Sequence, residues 1–271
     1  MLLGMAAAAF LVINPRSGDQ TPSVDELAGT ARSRGIRVHV LTAGEDAGDV
    51  ARAAEAAALG VAGGDGSLAA VAGVALERDL PFVCVPFGTR NHFARDLGLN
   101  ADDPLAMLSA FHGRERRIDV GRAGDEVFLN NVSLGLYAKL VHERERHTLR
   151  SEVAASARAL WLTVRNPRRV ALTIDGERTS ARVVLAANNA YRLDLFSPGE
   201  RETLDEGRLH LYEADGLLPK NWRERAGQRF VVDGGRVLRA AIDGDPVELD
   251  SPLELRVEPR ALRVLVPAEP G

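Results

Sequence analysis

Four short apolar runs alternate with helical stretches over the first 121 residues, and this alternation constrains the fold more than any other feature. The runs are AAFLVIN, IRVHVL, ALGVAGG and PFVCVP. Continuous apolar strands that alternate with helices are typical of a parallel sheet covered on both faces. We therefore predict an α/β domain over residues 1–121, with helices at 24–34, 50–59, 67–77 and 104–112.

Residues 122–271 follow a different pattern, in which short alternating runs are separated by turns. Asp-Gly pairs at 175–176, 233–234 and 243–244 favour tight hairpins. Residues 136–165 interrupt this pattern with helical material. We predict a mainly β, antiparallel, β-sandwich-like domain here, and we leave open that its last strand returns to the first domain.

Charge and cysteine content narrow the function classes. A net charge of -4 and a pI near 5.9 argue against a nucleic-acid-binding protein, because affinity for phosphate backbones comes from massed Lys and Arg. The one cysteine, Cys84, lies inside the run FVCV. A single cysteine suits a reducing compartment, and its apolar neighbours suit a small buried side chain in a strand.

The apolar N-terminal run is shorter than the ~20 residues of a membrane span. We expect a cytoplasmic protein, with any membrane contact peripheral and at the inner face.

The chain has only two lysines, Lys139 and Lys220, and no Gly-Lys dipeptide. This excludes a Walker-type phosphate loop and the strand lysine of protein kinases. If nucleotide phosphates are bound, backbone N–H groups, a metal ion and arginines must supply the positive charge.

Three glycine-rich or polar loops follow strands of the first half: NPRSGD at 14–19, GGDGS at 63–67 and FGTRN at 87–91. In open α/β sheets, ligands lie at the carboxyl ends of the strands, so all three loops are expected to face one ligand. Each loop alone also fits an ordinary tight turn. Three at successive strand ends favour a binding site.

The GGDGS loop has the most specific chemistry. Its glycines allow close approach of a ligand and expose N–H groups at the start of a helix, whose dipole favours an anion. Asp65 would repel a phosphate unless a cation lay between them, so the loop predicts Mg²⁺ with a polyphosphate. Residues 64–69 also match a dinucleotide fingerprint. That match follows the third strand, and the next strand ends in Pro86 with no acidic residue to hold a ribose, which disfavours it.

NPRSG, GGDGS and PFGTRNHFAR, in this order and followed by a β-rich half, resemble the diacylglycerol kinase catalytic domain family. The likeness is greatest to its soluble bacterial lipid kinases and the related sphingosine and ceramide kinases. The usual forms are NPxSG, GGDGT and PLGTGNDFAR. The resemblance covers nearly the whole chain, whereas GGDG alone is shared with NAD kinases.

The resemblance implies a site for ATP and Mg²⁺ in the first half, with Asp65 at a catalytic position. Its lining residues would be Asn14, Ser17, Gly18, Gly63, Gly64, Asp65, Gly66, Ser67, Thr89 and Asn91. We add Arg16 and Arg90 as candidates to neutralise phosphate charge.

In the second half, Asp245 of IDGDPVEL falls where the family has an Asp-Gly-Glu motif, and the resemblance implies that it deprotonates the lipid hydroxyl. Asp245 is one methylene shorter than the usual glutamate. From the residues alone, it is equally a hairpin-turn residue.

The resemblance also implies metal ligands. LDEGRL at 204–209 is similar to an Asp-Asp-Gly-x-Leu turn that holds a structural Mg²⁺, here through the Glu206 side chain and the carbonyls of Thr203 and Arg208. Asp119, in RRIDVGR, would join the magnesium network around Asp65. The alternatives are a plain turn at 204–209 and a solvated strand residue at Asp119.

His92 stands where the family has an aspartate. Either this substitution makes the magnesium site less acidic, or the histidine is a helix-terminus residue bonded to nearby backbone.

Residues 139–169 carry eight basic and three acidic side chains, a net charge of +5, and include ALWL around Trp161. A basic helical segment with an aromatic side chain suits peripheral docking on anionic lipid, with ordinary packing as the alternative. We leave a homodimer open.

Together these features predict an ATP-dependent lipid kinase that phosphorylates a lipid hydroxyl, with diacylglycerol or a related glycerolipid as the substrate. Two alternatives stay open: a kinase of a soluble acceptor, similar to NAD kinase, and a non-catalytic homologue that binds nucleotide or lipid.

Overall fold

The structure is a computed structural model of the 271-residue chain, and it describes residues 8–17, 21–88, 91–135, 170–181, 183–192, 201–214 and 222–268. Two compact units make up the chain. The first consists of Met1–Ile118 with Arg260–Gly271, and the second is Asp119–Pro259. The predicted helical material at 136–165 and the basic segment at 139–169 lie outside the described residues.

A parallel sheet forms the centre of the first unit. Its strands are β1 (Phe10–Ile13), β2 (Arg37–Val40), β3 (Leu59–Gly63) and β4 (Phe82–Pro86), in the order β2-β1-β3-β4. β1, β3 and β4 are buried along their whole length, because helices cover both faces of the sheet. The predicted parallel α/β architecture is confirmed.

The helices of this unit are α1 (Val24–Ser33), α2 (Ala47–Ala53), α3 (Asp65–Glu77), α4 (His92–Asp96) and α5 (Pro104–Met107), followed by a 3-10 helix at Leu108–His112. The prediction of a helix at 50–59 is wrong at both ends. Asp46 caps α2 by accepting a hydrogen bond from the Asp49 N–H, and Ala54 leaves the helix with an extended ψ of 131°. No helix of the described residues is long and apolar enough to cross a membrane.

Strands dominate the second unit. After β5 (Arg114–Ala123), which begins in the first unit, they are β6 (Glu126–Phe128), β7 (Asn131–Gly135), β8 (Val170–Ile174), β9 (Glu177–Ala181), β10 (Val183–Asn188), β11 (Leu209–Ala214), β12 (Arg223–Gly227), β13 (Arg229–Asp233), β14 (Val237–Ile242), β15 (Asp245–Asp250) and β16 (Leu253–Val266). β16 pairs with β13 in antiparallel register, and its later residue Val264, in the first unit, pairs parallel with Phe82 of β4.

Six of these strands form one antiparallel sheet in the order β12-β11-β10-β7-β14-β15. The strands β13, β8 and β9 belong to a different sheet, in which β13 lies between β16 and β8. One hydrophobic core contains side chains of both sheets, including Leu134 and Leu211 from the first and Leu172 and Phe230 from the second. The predicted sandwich-like, antiparallel architecture is confirmed.

Two of the three predicted Asp-Gly hairpins are correct. Asp175-Gly176 joins β8 to β9 and Asp243-Gly244 joins β14 to β15, with positive φ at all four residues. The hairpin at 233–234 is wrong, because β13 and β14 pair with different partners. A Cβ on Gly234 would lie 2.5 Å from Leu172 Cδ2, so glycine is needed there for close packing.

Candidate functional site

The loop that follows β1 is tied to the start of α3 by two hydrogen bonds. The Asn14 Nδ2 donates to Ser67 Oγ at 2.9 Å, and the Gly64 N–H donates to Ser17 Oγ at 3.0 Å. The Asn14 N–H also donates to Ala62 O, at 2.8 Å, which extends the sheet pairing to the end of β3. Two of the three predicted loops therefore form one structure.

The loop that follows β4 contacts the same place. Asn91 is buried and adopts a left-handed conformation with φ 48°. Its side chain accepts from the Gly88 N–H at 2.9 Å and donates to Gly88 O at 2.8 Å, which closes the loop on itself. A Cβ on Gly88 would lie 3.1 Å from Gly64 Cα and 3.4 Å from Gly63 O, so the glycine permits this approach. All three loops meet at the amino end of α3.

The first turn of α3 suits an anion. Gly64 is the N-cap residue, and no side chain of the described residues caps the helix. The helix is 13 residues long, so its dipole and the N–H groups of its first turn favour negative charge in front of it. Glycines on both sides of this turn leave room for a phosphate close to the backbone.

Asp65 adds a negative charge at this turn. Its Oδ1 is buried, and burial together with the Asp65 charge raises the pKa of the Cys84 thiol in β4. A carboxylate beside an anion site needs a cation, and carboxylate oxygen is a ligand that Mg²⁺ prefers. The residues at this turn therefore fit Mg²⁺ together with a phosphate.

Two further residues considered for this site are exposed. Arg16 is exposed, and its backbone N–H donates to Asn14 Oδ1 at 3.0 Å. His92 is the exposed first residue of α4. Gly18, Thr89 and Arg90 lie outside the described residues, so their roles stay predictions.

In the second unit, Asp245 is the exposed first residue of β15 and pairs with Ile242 across the hairpin. Two residues earlier, Asp243 has a role that the sequence did not reveal. Its carboxylate accepts N–H groups from Leu129, Asn130 and Asn131 at 2.7, 2.8 and 2.9 Å. The Asp-Gly pair predicted the turn, but no local pattern indicates bonds to a loop more than a hundred residues away.

Asp119 is buried, at 1% exposure, which shows that the solvated alternative is wrong. Its carboxylate accepts the N–H of Gly207, and its own N–H donates to Leu204 O at 2.7 Å. Both bonds hold the predicted metal-binding turn at 204–209, and the Asn188 side chain donates to Asp119 O at 3.0 Å.

Glu206 already has protein partners. Its Oε2 accepts the Ala190 N–H at 3.2 Å and lies 3.0 Å from His210 Nε2, while the other ring nitrogen of His210 is 2.6 Å from Glu224 Oε1. The sequence did not indicate this arrangement, because no other histidine lies near His210 in the chain.

The remaining metal-binding predictions concern backbone carbonyls. Arg208 O accepts the Asn189 N–H at 3.1 Å. Within the described ranges, no group of three or more His, Cys, Asp or Glu side chains is arranged to hold a metal ion. The Mg²⁺ ligands Thr203, Glu206 and Arg208 stay predictions.

Comparison with known proteins agrees with these motifs. Residues 8–123, which contain all three loops, match the model of the diacylglycerol kinase catalytic domain. A Chromohalobacter salexigens protein named "Probable lipid kinase YegS-like" is 33% identical over 142 residues, covering 49% of this chain and 45% of that protein. A Staphylococcus epidermidis protein, provisionally named a lipid kinase, is 26% identical over 239 residues, covering 78% of this chain and 77% of that protein.

The fold also has a solved counterpart. The crystal structure of a diacylglycerol kinase from Bacillus anthracis str. Sterne matches 96% of this chain and 97% of that chain, with a TM-score of 0.67 at 15% identity. At 15% identity, this similarity shows a shared fold and nothing more, and the matched region includes both units.

An α/β unit in which three strand-end loops meet at one helix start, followed by an antiparallel β unit, is the architecture shared with the matched crystal structure. Residues 8–123 match the diacylglycerol kinase catalytic domain family, and the resemblance seen in the sequence is confirmed over this part of the chain. The chain matches about half of the length of the first curated relatives, 45% in two of them.

Proposed function

We propose that this protein is a lipid kinase that transfers the γ-phosphoryl group of ATP, with Mg²⁺, to a lipid hydroxyl. One observation carries the proposal: three strand-end loops meet at the start of α3, joined by the Asn14–Ser67 and Ser17–Gly64 hydrogen bonds, with Asp65 in the first turn. The family match over the same residues and the names of the relatives support it.

In this proposal, the first unit binds the nucleotide. The N–H groups at the start of α3 hold phosphate oxygens, and Asn14, Ser17 and Asn91 hold the loops in place. Asp65 holds the metal ion, and Mg²⁺ would neutralise the charge that develops on the transferred group. Arg16, exposed at the edge of the loop after β1, adds positive charge for the phosphates.

The second unit binds the acceptor. Asp245 lies exposed at the start of β15, where it accepts the proton of the lipid hydroxyl as the phosphoryl group is transferred. Diacylglycerol or a related glycerolipid is the proposed acceptor, because the solved structure of the same fold is named a diacylglycerol kinase. Peripheral docking through residues 139–169, a cytoplasmic location and a homodimer stay predictions.

The test is a panel of acceptors incubated with Mg²⁺ and γ-labelled ATP. The lipid arm contains diacylglycerol, phosphatidylglycerol, a sphingoid base and ceramide, and the soluble arm contains NAD. Label on a lipid supports the proposal and names the substrate. Label on NAD alone would favour a soluble-acceptor kinase, and ATP binding without transfer to any acceptor would favour a non-catalytic homologue.

A further inference from the structure

The turn before Asp245 is fixed by an unusual set of bonds. The Asp243 carboxylate accepts three consecutive backbone N–H groups, those of Leu129, Asn130 and Asn131, at 2.7–2.9 Å. The Asp243 N–H in turn donates to Asn131 O at 2.9 Å. An Asp-Gly turn requires only positive φ, so these four bonds go beyond what the hairpin needs.

Charge makes this arrangement strong. Hydrogen bonds from N–H groups to an ionised carboxylate are roughly twice as strong as bonds between neutral groups. Neighbouring N–H groups that point at one anion form a backbone nest, and here the anion is a side chain of the protein itself. The segment 129–131 and the β14–β15 turn therefore behave as one rigid piece.

A buried arginine donates hydrogen bonds to oxygen atoms of the same segment. Arg201 is 5% exposed, and its guanidinium donates to Leu129 O at 2.6 Å and to Asn130 Oδ1 at 2.7 Å. It also donates to Asn188 O at 3.0 Å. The segment 129–131 is thus bound through its N–H groups by Asp243 and through its oxygen atoms by Arg201.

Asp245 follows directly from this anchored turn. Only Gly244, at φ 95°, separates it from Asp243, and its pairing partner Ile242 immediately precedes Asp243. The position of the Asp245 carboxylate therefore depends on how firmly the turn is held. A displacement of about 1 Å at a reacting group can lower a rate by about a hundredfold.

We infer that Asp243 is a positioning residue, which fixes the hairpin so that Asp245 meets the acceptor hydroxyl. The inference rests on the proposed function, in which Asp245 accepts the hydroxyl proton. In this role Asp243 acts through the turn, because its carboxylate accepts the N–H groups of the segment 129–131.

The sharpest variant is Asp243→Asn. An amide has one acceptor oxygen in place of two, so at least one of the three N–H groups loses its bond while the side-chain volume stays the same. Asp175→Asn is the matched control. Asp175 occupies the equivalent Asp-Gly turn of β8–β9, with φ 51°, and its carboxylate accepts one N–H, from Val231 at 2.8 Å.

Three quantities are measured for each variant: kcat for lipid phosphorylation, KM for ATP and the Tm. Asp243→Asn is expected to lower kcat by about 10- to 100-fold, while KM for ATP stays within about twofold, because the ATP loops belong to the other unit. Asp175→Asn is expected to keep kcat within about twofold. Arg201→Lys, which keeps the charge but loses the forked geometry, should repeat the Asp243→Asn pattern.

A kcat close to wild type in folded Asp243→Asn would overturn the inference, as would a loss that merely follows the folded fraction. If Asp243→Asn does not fold, an unchanged kcat in Arg201→Lys overturns it in the same way. Wild-type protein with no transfer to any lipid would overturn the proposed function and this inference together. Active wild type with a fully active Asp243→Asn removes only this inference.

Discussion

The side-chain amide of Asn14 donates a 2.9 Å hydrogen bond to the hydroxyl of Ser67, 53 residues further along the chain. This bond joins the loop after β1 to the first turn of α3. The Ser17 hydroxyl makes a second link by accepting the Gly64 N–H. The loops that would hold the ATP phosphates therefore set each other's positions.

This link predicts energetic coupling in nucleotide binding. Asn14→Ala and Ser67→Ala should each weaken ATP binding, and the double variant should be weaker by less than the sum. A coupling energy of about 0.5–1.5 kcal/mol is expected, because each single change removes the same hydrogen bond. Titration calorimetry with ATP and Mg²⁺ measures it.

The control pair is Asn14→Ala with Ser109→Ala, because the Ser109 hydroxyl donates to Ala106 O, three residues earlier on its own turn. These two changes should be additive. Additive effects of Asn14→Ala and Ser67→Ala would contradict the coupling.

The close approach of Gly88 to Gly64 predicts that an added methyl group at residue 88 weakens ATP binding. In Gly88→Ala, the new Cβ would lie 3.1 Å from both Gly64 Cα and Asn91 Oδ1, so the backbone of the site must shift. We expect ATP binding to weaken by about tenfold, which corresponds to about 1.4 kcal/mol. Gly29→Ala, inside α1 with no atom within 4 Å of the new Cβ, is the control. It should leave ATP binding unchanged and stabilise the fold by about 0.5–1 kcal/mol. Equal ATP affinity in Gly88→Ala and wild type would show that the loop contact has no part in binding.

The sequence predicted those features that local patterns determine. The buried parallel strands followed from continuous apolar runs, and the turns at Asp175 and Asp243 followed from Asp-Gly pairs. The end of the helix near residue 53 was missed, because an alanine-rich segment gives no stop signal before Ala54 turns to an extended conformation. Asp243 and Arg201 were missed because their partners lie far away in the chain, and only the folded sheets bring them together. His210 was missed because Glu224, the partner of its second ring nitrogen, lies on the neighbouring strand β12.

Asp119 predicts a stability effect in the second unit. Asp119→Ala removes the carboxylate that accepts the Gly207 N–H, at a position only 1% exposed. The free energy of unfolding should fall by roughly 1–3 kcal/mol, because the half-buried Gly207 N–H loses its acceptor. Urea unfolding provides the measurement. Glu126→Ala, exposed in β6, should change stability by less than about 0.5 kcal/mol. A loss in Asp119→Ala no larger than in that control would contradict the structural role.

Tyr212 predicts a loss of stability at high pH. Burial raises the pKa of its phenol to about 12, against the opposing bond from the Tyr191 N–H. A raised pKa in the folded state stabilises the fold fully below the ordinary value of about 10 and loses that contribution as pH rises through 12. The free energy of unfolding should therefore decline between pH 10 and pH 12, by up to about 1.4 kcal/mol per pH unit from this group.

Tyr212→Phe should give a shallower decline over the same pH range, measured by urea unfolding at each pH. The same slope in wild type and Tyr212→Phe would show that the phenol ionises at its ordinary pKa.

The most direct test of the proposed activity is the initial rate at which label passes from γ-labelled ATP to diacylglycerol in mixed micelles with Mg²⁺, compared in wild type, Asp65→Ala and Asp245→Asn. We expect labelled lipid with the wild type and a loss of at least about a hundredfold in both variants. Asp245→Asn removes the general base, and acid–base catalysis contributes about 10²–10⁴-fold. Asp65→Ala removes the carboxylate that would hold Mg²⁺. Asp245→Asn should still bind ATP. Lipid phosphorylation by Asp245→Asn at the wild-type rate would contradict the role of Asp245, and no labelled lipid from wild-type protein that binds ATP would contradict the lipid kinase activity itself.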